Sequence, residues 1–382
     1  MQRKTLVPNR NLAKAMEELR FDIYNLPSVN DRTYFSDNIY YEFTHDQIES
    51  IYEASKELHF MCLDYVSDII KIGDYENLGL NRTMIEVIEA TYKKSKNRHV
   101  YGRFDLAFNP ELNTIKMLEY NADTPTSLYE SSVVQWNWKE HYFSSSDQYN
   151  YIHEELIKRW KQFPNNMYFT AHDNAGKEDW ITLYYLLDTY LASGKNTGNC
   201  INLTDLGVDS KNRFVDLSDN VIENIFKLYP YEFMQQEEFI NCAANTNFIE
   251  PSWKILLSNK SLLPELWQRH KNHPLLLASY FDRNQFATNN DFIKKPIFSR
   301  EGANVSSTNP LDSRNKDYEL YADNLYDSTG YILQKDAQIK LQDGYTPIVG
   351  SWVVGDEPCG INIREDIGFT RNTSAFVSHI FN

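Results

Sequence analysis

Residues 101–127, YGRFDLAFNPELNTIKMLEYNADTPTS, carry Arg103, Asp105, Glu119 and Asn121 at spacings that suit the binding of a metal-bound polyphosphate. Phe104 and Leu106 alternate with Arg103 and Asp105, so a strand here presents one apolar and one charged face. The run Asn109-Pro110-Glu111-Leu112-Asn113 is rich in turn formers, and Thr114 to Asn121 reads as the returning arm of a β-hairpin. Glu119 and Asn121 then share a face. A register that sets this face beside Asp105 gathers three hard oxygen donors, a set suited to Mg²⁺ better than to zinc or copper. The same residues admit a plainer account. Arg103 and Asp105 would be an exposed ion pair worth about 0–1 kcal/mol, and Asn121 and Asp123 would shape a turn before Pro125.

Cations that would complete such a site lie far along the chain. Lys260 falls in LLSNKSLLP, and Lys295 in KKPIF just before Ser299-Arg300-Glu301-Gly302-Ala303-Asn304, a loop of small residues able to fold its amides over phosphates. Near the end, Asn362 and Arg364 share one face of a strand whose other face holds Ile361 and Ile363. An arginine so placed suits charge developing on a transferring phosphoryl group. Each has an alternative: Lys260 as a solvated helix residue, Lys295 as a guard on a strand edge, Arg364 as a partner of Glu365 or Asp366.

The elements that must position these groups are partly legible. From 11 to 97 the apolar residues recur at helical steps, as in Leu12, Met16, Leu19 and Ile23 or Ile48, Ile51, Leu58 and Cys62. Thr44 and Gln47 form a capping box that opens a long helix. Helical spacing resumes after Pro125. MYFTA, the helix from Asp179 and CINL then give a strand–helix–strand unit, and hence an α/β middle region. PSWKILLSNKSLLPELWQRH reads as one helical block, followed by the short strands KKPIF, YILQK, TPIVGSWVVG and GINIRED, the last two around a turn at Gly355-Asp356-Glu357-Pro358.

A chain of 382 residues with 26 Tyr and 21 Phe can bury a large core in two or three packed regions. A formal net charge of −15 argues against a nucleic-acid partner, because phosphate neutralisation needs a basic surface. Cys62, Cys200, Cys242 and Cys359 are far apart and form no CxxC pair, so they read as reduced thiols. No run of about 18 apolar residues and no signal-peptide core is present, which makes a membrane partner unexpected and a cytoplasmic location the expectation. Phosphate-loop, dinucleotide, zinc-peptidase and serine-hydrolase motifs are all missing, and His270 with His273 reads as a surface pair.

Four blocks, RFDLAFNPELNTIKMLEYNADTPTS, EPSWKILLSNKSLLPELW, KKPIFSREGANV and GSWVVGDEPCGINIRED, together resemble the synthetase module of the glutathionylspermidine synthase family, within the ATP-grasp carboxylate–amine ligases. The resemblance implies an α/β (α+β) fold in which an ATP-grasp unit follows a helical and pre-ATP-grasp-like part. The expected regions are 1–100 (α-rich), 101–250 (metal and substrate binding) and 251–382 (nucleotide binding). It implies an ATP- and Mg²⁺-dependent enzyme that joins a small-molecule carboxylate to an amine through an acyl phosphate. Asp105, Glu119 and Asn121 would ligate two Mg²⁺ ions. Nucleotide contacts would fall on Lys260, Lys295, Arg103 and Asp105, and Arg103, Arg300 and Arg364 would steady the transition state. Thr124 and Thr126 would face the carboxylate substrate, with Glu178 and Asp179 near the amine. The amidase domain of bifunctional members is not expected here. The competing account is a catalytically degenerate ATP-grasp module that binds nucleotide or peptide, and the presence of every metal and phosphate residue speaks against it.

Overall fold

The alternation read from 101–127 produces the expected hairpin. Strands Tyr101–Asn109 and Thr114–Asn121 pair antiparallel, with Arg103 opposite Asn121 and Asp105 opposite Glu119. The computed structural model describes residues 1–8, 10–28, 32–172, 176–281, 291–316, 318, 322–323, 326 and 329–382. The hairpin departs from strict alternation in one respect, a bulge where the partners step from Asp105–Glu119 to Leu106–Met117 and leave Leu118 unpaired. Without it, Ile115 and Met117 would share a face with Glu119 and Asn121. With it, Ile115 and Met117 join Phe104, Leu106, Phe108 and Tyr120 in the core, while Glu119 and Asn121 turn to the other side.

This hairpin is one edge of a seven-stranded sheet. From the other edge the order is Gln2–Thr5, Phe35–Phe43, Ala375–Phe381, Glu357–Asp366, Thr346–Val354, Tyr101–Asn109 and Thr114–Asn121. All neighbours are antiparallel except Ala375–Phe381 on Phe35–Phe43. The helical reading of 11–97 is therefore corrected: Phe35–Phe43 is a strand amid the helices Arg10–Glu18, His45–Ile72 and Arg82–Ser95. The capping box of Thr44 and Gln47 is present, and Gly73 closes the same helix in a left-handed conformation. Ile48, Ile51, Leu58 and Cys62 of that helix are buried against the apolar face of the sheet, each large side chain contributing roughly 1.5–3 kcal/mol.

Two further four-stranded sheets flank the first. One is wholly parallel, in the order Asn247–Ile249, Asn224–Leu228, Met167–Ala171, Gly198–Asn202, and helix Lys177–Ala192 makes the expected crossover between the last two. The other is antiparallel, in the order Ser279–Phe281, Tyr331–Lys335, Phe292–Pro296, Ser306–Ser307. The boundaries expected at 100 and 250 do not separate sheets, since the seven-stranded sheet takes strands from all three regions. Among the described residues, no helix is long and apolar enough to cross a membrane.

Candidate active site

A cavity of about 210 Å³ opens between the end of the hairpin and the antiparallel sheet, and it is lined by Arg103, Asp105, Glu119, Asn121, Lys260, Lys295, Arg300 and Arg364. All eight metal, phosphate and arginine candidates thus meet, although they come from four separated segments. Thr124 and Thr126 line the cavity too. Glu178 and Asp179 do not; they occupy the first turn of Lys177–Ala192. There the Glu178 carboxylate accepts a bond from the Ser127 amide (3.2 Å), holding a residue whose φ is +66°. Burial, and then the charge of Glu178, pushes the Asp179 carboxyl up to about 6.

On the hairpin, Arg103 Nε lies 2.7 Å and Nη2 3.2 Å from the two Asp105 oxygens, and Nη1 donates to the Thr126 carbonyl (2.7 Å). Arg103 is buried, so this is not the exposed pair of the plainer account. Its stem needs the space left by Gly350 on the neighbouring strand, where a Cβ would stand 2.9 Å from Arg103 Cδ and 2.3 Å from Asn362 Oδ1. Asn121 Nδ2 donates to Asp105 Oδ2 (3.2 Å) and to Glu119 Oε1 (3.1 Å). The amide thus bridges two carboxylates that would otherwise repel, which is the place a divalent cation would take. A rotated Asn121 amide would present its oxygen instead, so the donor set fits Mg²⁺.

Lys260 reaches the cavity because the expected helical block breaks. It divides into Ser252–Lys254, Ile255–Ser258 and Leu262–Arg269. Pro264 explains the break, since its ring would clash with the Lys260 carbonyl in a continuous helix, whereas in the first turn of Leu262–Arg269 it is tolerated. Freed from the helix, the Lys260 amide bonds to the Ile297 carbonyl (2.8 Å), and Nζ sits 2.9 Å from the Ser299 carbonyl and 3.4 Å from Glu119 Oε2. Lys295 Nζ donates to Gln334 Oε1 (2.7 Å) and to the carbonyl of Leu118 (3.1 Å), the residue left unpaired by the bulge.

These contacts set the charge states. Burial drives the Glu119 carboxyl up, but Lys260, Lys295, the Asn121 hydrogen bond and Arg103 together outweigh it and hold the group well below the usual range. Asp105 goes the other way: burial raises it, and Arg103 offsets only part of that. Burial brings Lys295 down to about 8 despite the nearby Glu119. The site therefore contains an ionised carboxylate beside a lysine that loses its proton easily.

The 299–304 loop has left-handed residues at Glu301 (φ 54°), Gly302 (φ 73°) and Asn304 (φ 55°). Gly302 is required, because a Cβ there would lie 2.4 Å from the Thr370 carbonyl. Arg300 Nη1 donates to Thr124 Oγ1 (2.9 Å) and lies 3.5 Å from Glu232. Arg364 does not pair with Glu365 or Asp366. It donates to the carbonyls of Arg371, Asn372 and Ser374 (2.8–3.1 Å) and to Ser127 Oγ (3.1 Å), while Glu365 accepts from Arg3 Nε at 2.8 Å.

Reasoning from sequence took Asp123 only as a turn former and missed Gln334, Glu232 and Gly350, all of which line the site or support it. Asp123 accepts from buried Lys227 (2.7 Å) and from the Tyr231 amide (2.8 Å). A polar Gln334 inside the apolar strand YILQK was the one available signal.

Among solved structures, a glutathione synthetase-like effector from Globodera pallida superposes with a TM-score of 0.56 over 97% of this chain and 96% of its own, at 10% identity. The architecture is accordingly of the ATP-grasp type. The family model described as "Glutathionylspermidine synthase preATP-grasp" matches residues 3–382, and the chain belongs to that family. A Haemophilus influenzae protein named as an acid–amine ligase is 42% identical over 397 residues, covering 100% of both chains. Trypanothione synthetase of Crithidia fasciculata is 25% identical over 82% of this chain and 54% of its own length. The bifunctional glutathionylspermidine synthetase/amidase of Escherichia coli is 20% identical over 70% and 47%. The chain spans about half the length of these last two relatives. Membership in the family places it among the carbon–nitrogen ligases that join acids to amines.

Proposed function

We propose that this protein is an ATP- and Mg²⁺-dependent ligase that activates a carboxylate as its acyl phosphate and passes the acyl group to an amine. The observation that carries the reading is the meeting of Asp105, Glu119 and Asn121, at the end of one sheet, with Lys260 and Lys295 against a second sheet. Bound between Asp105, Glu119 and Asn121, two Mg²⁺ ions would supply Lewis-acid charge neutralisation to the phosphates. Lys260 and Lys295 hold the phosphates in line, and the amides of the 299–304 loop cover them. Arg103, Arg300 and Arg364 offset the charge that grows when the substrate carboxylate attacks the γ-phosphorus and ADP leaves. When the amine then adds to the acyl carbon, the same arginines face the oxyanion, and phosphate departs.

Thr124 and Thr126 are assigned to the carboxylate substrate, and Glu178 with Asp179 to the amine. The names of the relatives make a glutathione-like peptide and a polyamine the first pair to try. We place nucleotide binding in 251–382, working against the metal groups of 101–250, in a cytoplasmic enzyme. With ATP, Mg²⁺, acid and amine present, ADP and phosphate should appear in step with amide. Failure of ATP to bind in the presence of Mg²⁺, measured by calorimetry, would sink the proposal.

A further inference from the structure

On the opposite side of the hairpin from the cavity, three groups that play no part in the ligase reading meet at one point. His59 comes from the middle of helix His45–Ile72, His99 from the segment before strand Tyr101–Asn109, and Asp356 from the two-residue turn between Thr346–Val354 and Glu357–Asp366. His59 Nε2 and His99 Nε2 each lie 3.1 Å from Asp356 Oδ1, and all three donor atoms are within 4.8 Å of one another. The Gly355 carbonyl also lies 2.9 Å from His99 Nε2. We propose that His59, His99 and Asp356 form a binding site for one borderline divalent metal ion, Zn²⁺ foremost, separate from the proposed Mg²⁺ site.

The geometry supports this in four ways. Donors around a four-coordinate zinc, with bonds of about 2.0–2.1 Å, lie about 3.3 Å apart along each tetrahedral edge. The 3.1 Å separations here are close to that edge. Two imidazoles and a carboxylate are a donor set that selects Zn²⁺ and its neighbours over Mg²⁺ and Ca²⁺, which prefer all-oxygen sites. Orientation is fixed from behind: the other nitrogen of His59, Nδ1, is 3.0 Å from the Tyr120 hydroxyl, an arrangement typical of ligating histidines. Finally, both imidazoles are buried while Asp356 is exposed, so an ion could enter from solvent past the carboxylate onto ring nitrogens already in place.

The surroundings are consistent with a cation here. Lys254 is matched by Glu250 (2.8 Å), and Arg159 is held by the carbonyls of Asn97 and His99. The site would clip helix, hairpin and turn together. Through Tyr120 it would also press on the strand that carries Glu119 and Asn121 on its other face.

Co²⁺ tests the proposal spectroscopically, because four-coordinate nitrogen-containing sites absorb strongly in the visible and six-coordinate all-oxygen sites do not. Titration of the whole protein should develop an intense band that saturates at one equivalent and is abolished by one equivalent of Zn²⁺, with a rise in the thermal midpoint. His59→Gln and His99→Gln should abolish the band. Asp356→Ala, an exposed change that keeps both histidines, should weaken Zn²⁺ binding by at least about tenfold. An Asp105→Asn protein should keep the band. The proposal is overturned if no intense band forms, if the band survives Asp356→Ala at undiminished affinity, or if the only saturable binding is removed by Asp105→Asn.

Discussion

Asp105 and Lys295 show how much a single side chain can be asked to do here. Asp105 is buried against Arg103, and the Asn121 amide ties it to Glu119. Replacing it with Asn keeps the shape but removes the charge that would hold a metal. Lys295→Ala would remove the proposed phosphate contact, while Gln334 still holds the Met117 carbonyl. Both variants should lower turnover by about 10²–10³-fold, the range found when one preorganised charge partner is lost, with thermal unfolding little changed. Turnover like the wild type in either would refute the assigned role. Since Lys295 is held near 8, it is protonated below that pH and neutral above it. The KM for ATP should therefore rise as pH passes upward through about 8, and Lys295→Arg, whose cation persists, should remove the rise. Residue types and local spacing announced Arg103, Asp105, Glu119 and Asn121, because all four sit in one hairpin. Asp123 stayed hidden because its partner, Lys227, is 104 residues away.

Among the elements, the strand Thr346–Val354 carries a requirement visible only in three dimensions. Gly350 sits opposite both Asp105 and Asn362, and Arg103 passes over the position where its Cβ would be. Gly350→Ala should cost about 1–3 kcal/mol through overpacking, measurable by denaturant unfolding. It should also lower turnover more than that loss explains, because Arg103 is pushed from Asp105. Unchanged turnover would show that Arg103 tolerates displacement. Most elements were legible: the hairpin from its alternation and turn, the long helix from its capping box, the parallel unit from its strand–helix–strand order. The bulge at Leu118 was not, since nothing in IKMLEYN marks where pairing slips, and the slip is satisfied from outside by Lys295 and Gln334. The break before Leu262 could have been read from Pro264, whose steric demand was outweighed there by an apolar stripe that looked continuous.

For the molecule as a whole, the Lys227–Asp123 pair joins the parallel sheet to the loop leaving the hairpin, with both side chains almost fully buried. Lys227→Met should destabilise by about 3–5 kcal/mol, since Asp123 would be left charged and unmatched, and chemical denaturation should show it. A second change, Asp123→Leu, should recover much of that loss; no recovery would mean that packing of the lysine stem dominates. Long-range pairings such as this were beyond the reach of pattern, which senses neighbours along the chain and not across it. The same holds for the main sheet. Phe35–Phe43 was missed because a strand with buried Phe35, Ile39, Tyr40, Tyr41 and Phe43 does not alternate cleanly amid helices.

The position of the last strand has a further effect. Among the described residues, Gln2–Thr5 and Phe35–Phe43 join the rest of the main sheet only through Ala375–Phe381. During synthesis these first strands must wait for Ala375–Phe381 to leave the ribosome, on the order of tens of seconds at typical elongation rates. Until then the edge of Phe35–Phe43 that takes Ala375–Phe381 is open, and the pair of first strands is exposed there to other nascent copies. Arrival of Ala375–Phe381, rather than of any earlier region, is what closes the sheet.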